Sequence, residues 1–359
     1  MAEMMNRKLV LENGTVFEGY GFGADRDSIA ELVFNTSMVG YQEIVSEHNY
    51  FEQMVVMTYP IIGSYGVNDE DDESKNPHIG GLIVRDYNDL PSNFRYTKTL
   101  SEAMEEDGIP GIYGLDTRQL TRIIRSQGSL KAMITSMDTP TEQALEALHS
   151  WKRNENPVAA VSCSKRWYSR TPNHQYNVVA VDCGIRMSSV RKFKALGCNV
   201  TVVPYNTSAE QIFALQPDGI FISDGPGDPH AVPSVIALIR ELQGKRPILG
   251  VGLGHLLICL ASGASVEKMV AGHHGCNHPI RCLETGKIDI GELCQNYTLI
   301  PESVAGTDLH ITHVNVLDGT AEAAESTRYP TFSAQFNLEI DHPMLQKFVQ
   351  MMEGRKNNA

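Results

Sequence analysis

The sequence predicts a two-domain α/β protein: an N-terminal α+β domain, then a doubly wound domain built on a parallel sheet. Three observations carry this. The chain has 359 residues, enough for about two domains of ordinary size. Hydrophobic periodicity lapses between residues 151 and 176, around Lys152-Arg-Asn-Glu-Asn-Pro157 and Ser169-Arg-Thr-Pro-Asn-His174, which has the composition of a linker. Beyond that lapse, short apolar runs alternate with helical runs, the pattern of a parallel sheet with helices on both faces. The division is therefore a domain over residues 1–150, a linker over 151–176 and a domain over 177–355.

In the first part, Lys8 to Gly19 alternates apolar and polar residues around Asn13-Gly14, a strong hairpin signal. Glu31 to Phe34 and Met54 to Tyr59 read as further strands. Asp69-Glu-Asp-Asp-Glu73 reads as a solvated acidic loop. Asp116 suits the N-cap of a helix over Thr117 to Ser126, and Gly128 suits its C′ position. Leu120, Ile123 and Ile124 would form the buried stripe, with Arg118, Arg122 and Arg125 facing out.

In the second part, Val178 to Asp182, Asn199 to Val203 and Gly219 to Ser223 read as strands. Ser188 to Leu196 (closed by Gly197), Ser208 to Leu215 and Val232 to Leu242 read as the helices between and after them. The loop Asp224-Gly-Pro-Gly-Asp-Pro229 follows the third strand. Loops at the C-terminal ends of parallel strands share one crevice, so this loop and the next strand end can face one pocket.

Composition narrows the function. The net charge is −13 and the pI about 5.4, so no basic face for nucleic acid is advertised. Seven cysteines, an odd number without C-x-x-C spacing, argue against a disulfide framework or a zinc site. The stretch Met1 to Lys8 has no apolar targeting core, and no apolar run reaches the roughly 18 residues a membrane span needs. A cytoplasmic protein without a membrane span is expected.

The most informative segment is Gly250-Val-Gly-Leu-Gly-His-Leu256. Arg246 to Val251 reads as a short buried strand and His255 to Ala261 as a helix. A strand-to-helix turn this tight strains its central residue and needs small neighbours, as in a nucleophile elbow. The helix N–H groups beyond such a residue can hold an oxyanion. Here the central residue is Gly252, which offers no nucleophile. A phosphate cradle is the other use of a glycine-rich strand-to-helix junction. The segment matches neither the dinucleotide fingerprint nor the P-loop.

Taken together, the motifs resemble those of the small, glutamine amidotransferase subunit of carbamoyl phosphate synthetase, over essentially the whole chain. The N-terminal half carries Phe34-Asn-Thr-Ser-Met-Val-Gly-Tyr-Gln-Glu43, Thr58-Tyr-Pro-Ile-Ile-Gly63 and Gly114-Leu-Asp-Thr-Arg118. The C-terminal half resembles class I amidotransferase domains through Ser223-Asp-Gly-Pro-Gly-Asp-Pro229, the Gly254-His255 elbow helix and Gly272-His-His-Gly-Cys-Asn-His-Pro279.

The resemblance implies a Cys-His-Glu triad that hydrolyses glutamine and a tunnel that delivers ammonia to a large subunit. It implies ATP and magnesium on that large-subunit partner and no cofactor or metal in this chain. The triad positions map to Gly252 in place of Cys, Asn337 in place of His, and Glu339. The glutamine pocket maps to Asn49, Gly225, Gly227, Leu253, Leu256, Asn296, Thr298 and Leu299. Asn49 stands where the family has serine, and Leu256 where it has glutamine. Asn296-Tyr-Thr-Leu299 replaces Asn-His-Gly-Phe. Gly225, Gly227, Leu253, Asn296 and Glu339 keep the family pattern, Leu253 as an oxyanion-hole donor.

Cys259, seven residues past the elbow, reads as a small core hydrophobe rather than a substitute nucleophile. Cys276 beside His273, His274 and His278 belongs to the family's ordinary histidine motif and implies no metal. Two functions follow from the altered site. One is a small-subunit homologue that cannot hydrolyse glutamine and supports ammonia-dependent carbamoyl phosphate synthesis, for arginine or pyrimidines, by a large subunit. The other is a regulatory or ligand-binding module outside that synthesis, its pocket remodelled for a different ligand.

Overall fold

The computed structural model describes residues 5–356, in two compact units. Residues 1–4, half of the stretch expected to lack a targeting core, lie outside the described residues. One unit runs to Glu155 and also takes Val270–Gly275; the other holds Asn156–Met269 and the chain from Cys276 onward.

The first unit is a barrel. The Asn13-Gly14 turn, with Gly14 at φ 84°, joins β1 (Arg7–Leu11) to β2 (Val16–Gly23) as the antiparallel hairpin expected. There follow β3 (Ser28–Asn35), α1 (Tyr41–Ser46), β4 (Gln53–Met57) and the short β5 (Ile61–Ile62), β6 (Gly81–Ile83) and β7 (Asp86–Tyr87). Next come α2 (Leu100–Glu106), β8 (Pro110–Tyr113), α3 (Thr117–Gln127), β9 (Lys131–Ser136) and α4 (Thr141–Ser150). Seven of the strands close in the order β1-β2-β8-β6-β4-β3-β9, and β9 pairs back onto β1. Leu9, Leu32, Met54, Val56, Ile83, Ile112 and Ile134 fill the core, with Leu120 and Ile124 of α3 packed on it. α3 has the caps the sequence advertises: Asp116 accepts from the Gln119 N–H, and Gly128 ends the helix at φ 86°.

The acidic run is a loop with Asp69, Glu70 and Asp72 exposed, as expected, and departs from that only at its end. Glu73 is buried, and the Asp72 carboxylate accepts from Gln42 Nε2 at 2.7 Å. Burial, followed by neighbouring carboxylates, outweighs that bond and raises the Asp72 carboxyl above its ordinary value.

The second unit begins inside the stretch expected to be linker, which is structured. It holds α5 (Pro157–Val161), capped by Asn156, and β10 (Trp167–Ser169), which pairs antiparallel with a sheet strand. Trp167 packs against the core, which is what orders this polar segment. Then come β11 (Tyr176–Asp182), α6 (Met187–Ala195), β12 (Cys198–Pro204), α7 (Ala209–Ala214), β13 (Gly219–Ile222), α8 (Pro233–Leu242), β14 (Ile248–Val251) and α9 (Leu253–Ala261).

The chain ends with β15 (Val266–Cys282), β16 (Ile288–Leu299), β17 (Leu309–Asn315), β18 (Ala321–Ser326), β19 (Thr331–Ala334) and α10 (Pro343–Lys356). The sheet order is β10-β12-β11-β13-β14-β19-β18-β16-β15-β17. β12, β11, β13, β14 and β19 run parallel. β18 pairs antiparallel with β19, β16 and β17, so the parallel core carries an antiparallel extension that the alternation of strands and helices did not reveal.

β11 shows why the core strands read as unbroken apolar runs. Val178 and Ala180 face a core shared with α6 and α10. Val179 and Val181 face the opposite core, shared with α7, α8 and α9. A strand covered on both faces has no solvent face to make polar. No described helix is long and apolar enough to cross a membrane.

Candidate functional site

Four neighbouring parallel strands, β11, β13, β14 and β19, release their C-terminal ends at one edge of the sheet. After β11 the chain turns through Cys183–Arg186. The loop from Ser223 to Asp228 follows β13, Gly252 follows β14, and Gln335–Glu339 follow β19. This edge is where open α/β sheets place ligands.

Gly252 joins β14 directly to α9, with φ 57° and ψ −117°. Side-chain-bearing residues avoid this region, and glycine enters it freely. The turn is held by the Gly252 N–H donating to Ala334 O at 2.9 Å and by Gly252 O accepting from the His255 N–H at 3.0 Å. An elbow is therefore present at the position where the resemblance places a nucleophile. A Cβ added there would lie 2.8 Å from Asp224 Cβ. Leu253, the first residue of α9, has one of the amides that a helix leaves unpaired.

The loop after β13 is fixed by close approach. A Cβ at Gly225 would lie 2.0 Å from the Cys183 carbonyl oxygen, so only glycine lets these two loops meet. Gly227 adopts φ 95°. Ser223 Oγ accepts from the Cys183 N–H at 2.9 Å. Asp182 Oδ1 accepts from the N–H groups of Gly184 and Ile185, at 3.0 and 2.9 Å. These bonds set the loop that carries Arg186.

Arg186 has no counterpart among the residues singled out from sequence, yet it is the centre of the site. Its Nε lies 2.9 Å from Asp224 Oδ2, with both side chains about 95% buried. Its Nη1 donates to Glu292 Oε1 at 3.0 Å. Glu292, on β16, accepts through its other oxygen from Asn337 Nδ2 at 2.9 Å. The Asn337 N–H also donates to Glu292 O at 3.0 Å. The Glu292 side chain keeps 37% of its surface exposed, but its carboxyl end is enclosed by Arg186 and Asn337. Burial alone would raise this carboxyl; the Arg186 charge and the bonds from Asn337 and Arg186 outweigh it and hold the group below its usual range.

Asn337, mapped to the base position, thus touches Glu292. Glu339, mapped to the triad carboxylate, is 70% exposed and pairs with Lys192 at 3.4 Å. Leu256 and Leu299 are buried, Leu299 within a core cluster containing Cys259, Leu309 and Ala324. Thr298 is buried and Asn296 half-buried, both on β16. Asn49 lies in the first unit, where its amide donates to Glu47 Oε1.

Cys259 is fully buried, with its thiol pushed up by burial. Beside it the buried His255 is pushed down to about 3 by desolvation and pairs through Nδ1 with Ser333 Oγ at 2.9 Å. Neither group is poised for acid–base work near neutral pH. The histidine motif straddles the division between units at Gly275 and Cys276. His274 O accepts from the Thr36 N–H, and its ring lies 5.5 Å from Tyr50. Among the described residues no group of three or more His, Cys, Asp or Glu is placed to hold a metal ion.

Residues 9–134 match the family described as carbamoyl-phosphate synthase small chain, CPSase domain, and residues 179–348 match glutamine amidotransferase class-I. The chain is 41% identical to the carbamoyl phosphate synthase small chain of Listeria monocytogenes, covering 98% of each. It is 43% identical to that of Fusobacterium nucleatum, covering 99% of each. This chain belongs to the carbamoyl phosphate synthase small-chain family. The pyrimidine-specific small chain of Bacillus subtilis is a further relative, 42% identical over 97% of this chain and 96% of its own. In this chain the line Asp224–Arg186–Glu292–Asn337 lies at the strand-end edge of the amidotransferase domain.

Proposed function

We propose that this chain is a small-subunit homologue that does not hydrolyse glutamine and instead supports ammonia-dependent carbamoyl phosphate synthesis by a large subunit. The observation that carries the proposal is glycine at the elbow. Amide hydrolysis of this type needs a thiolate to attack the carbonyl carbon and an imidazole to take and return the proton. Gly252 supplies no sulfur, and Asn337 carries an amide that cannot accept a proton near neutral pH and is already bonded to Glu292. Loss of nucleophile and base together costs on the order of a million-fold in kcat.

The partner surface supports the same proposal. Met38 and Val39 follow β3, Tyr59 and Ile61 follow β4, and these parallel neighbours align Asn35 with Met57. All four side chains are exposed, as are Leu90, Phe94 and Tyr96 in the segment after β7. The Ser92 N–H donates to Ser64 O, which ties that segment to the loop after β5. Large apolar side chains gathered at one barrel end mark an interaction site, and the first four lie within motifs shared with the family. We assign this end to the large subunit, and ATP and magnesium to that partner rather than to this chain. Leu256 and Leu299 are packed into the interior rather than lining open space, so neither offers an apolar wall to a different ligand.

Mixing the purified chain with a large subunit and assaying carbamoyl phosphate tests the proposal. Product from ammonia and none from glutamine supports it; glutamine turnover above a few per cent of an ordinary small chain's rate overturns it.

A further inference from the structure

We propose that Arg186, Asp224 and Glu292 form an ionic bridge that keeps glutamine out of the amidotransferase centre, a barrier separate from the missing thiol and imidazole. The inference rests on the glutamine-inactive function proposed above and names what closes the same site.

The bridge joins the two positions that chemistry on an amide would have to bring together. A substrate carbonyl must sit about 3–3.5 Å from the attacking atom and within reach of the base. At the attacking position, any side chain on residue 252 meets Asp224, whose Cβ is 2.8 Å from the built Cβ. At the base position, the Asn337 amide is committed to Glu292 Oε2. Arg186 connects the two carboxylates, with 2.9 Å to Asp224 and 3.0 Å to Glu292. A continuous polar line therefore runs from the elbow to the base position through side chains of this chain alone.

The energetics make the line hard to open. Removing one partner of a buried ion pair leaves an uncompensated charge in a dry environment, which is strongly unfavourable. Glutamine carries an ammonium and a carboxylate. To enter, it would have to break the Arg186 contacts and satisfy Asp224 and Glu292 itself. The pair Arg186–Asp224 is buried, so added salt will screen it little.

Equilibrium dialysis of the full-length chain with radiolabelled L-glutamine tests the bridge. The variants are Arg186→Met/Asp224→Asn, which removes both buried charges together, and Glu292→Gln, which keeps the shape and drops one charge. The native chain should show no saturable uptake up to about 10 mM, and the double variant should bind at least about tenfold more tightly than that limit. Glu292→Gln should fall between them. Hydrogen exchange on the same samples should quicken about tenfold or more at residues 224–228 and 252–256, with β11 and α10 protected as in the native chain.

Saturable binding of glutamine by the native chain would overturn the bridge. So would a double variant that keeps native exchange across β11 and α10 yet gains no glutamine affinity. Hydrolysis of glutamine by the native chain would sink both the bridge and the function proposed above. Binding without hydrolysis would sink the bridge alone.

Discussion

A side chain at position 252 would adopt φ 57° and press on Asp224. Strain of that kind costs on the order of 1–3 kcal/mol. Gly252→Cys should therefore fold with a lower denaturant midpoint and still turn over no glutamine, because Asn337 offers no base. Unchanged stability would contradict the strain argument, and covalent trapping by a reactive glutamine analogue would contradict the catalytic one. His255 gives a second residue-scale prediction. Its folded value of about 3 lies below the ordinary 6.5, so the unfolded chain binds the extra proton first as pH falls. Stability is full above about pH 6.5 and falls by up to roughly 1.4 kcal/mol per pH unit below it. His255→Leu should remove one proton's worth of that slope in denaturation series from pH 7 to 4; an unchanged slope would show that His255 is not buried neutral. Residues at a fixed local motif, Gly252 above all, were legible in the sequence. Arg186 and Glu292 were not: they meet across 106 residues, and nothing local to a charged residue says which distant strand it will face.

Elements whose caps and periodicity lie within a dozen residues followed from sequence. α3 needs only Asp116, its apolar stripe and Gly128, and α7 starts on a capping box between Ser208 and Gln211. Asp116→Ala should cost about 0.5–2 kcal/mol by removing the acceptor for the Gln119 N–H, measured by urea denaturation; no change would mean that water replaces the cap at no cost. β15 through β18 were not legible. β15 spans the histidine motif and is exposed along much of its length, so no clean alternation marks it. β10 was hidden for a different reason. Only three residues long, it gains its order from pairing with β12 and from Trp167 on the core, neither of which its own sequence announces. Barrel closure is likewise a long-range event: β9 meets β1 with Arg7 opposite Ser136.

At the scale of the whole molecule, the proposed function separates two surfaces. On this proposal the strand-end site of the second unit is closed by its own charges, and the C-terminal ends of barrel strands β3 and β4 lead to the exposed Met38, Val39, Tyr59 and Ile61, offered to a partner. Replacing Val39 and Ile61 together with Asp should weaken association with the large subunit at least about tenfold, since charge is being forced into an apolar contact. The melting temperature should barely move, because both side chains are already exposed. Equal affinity by sedimentation or calorimetry would remove this end of the barrel as the docking site. The most direct test of the central claim is the nitrogen source of the assembled complex. With the large subunit, ATP and bicarbonate present, carbamoyl phosphate formation should be driven by ammonium chloride and stimulated by adding this chain, while glutamine at the same concentration gives only the background of the large subunit alone. Glutamine-driven synthesis that appears only when this chain is added would contradict the account.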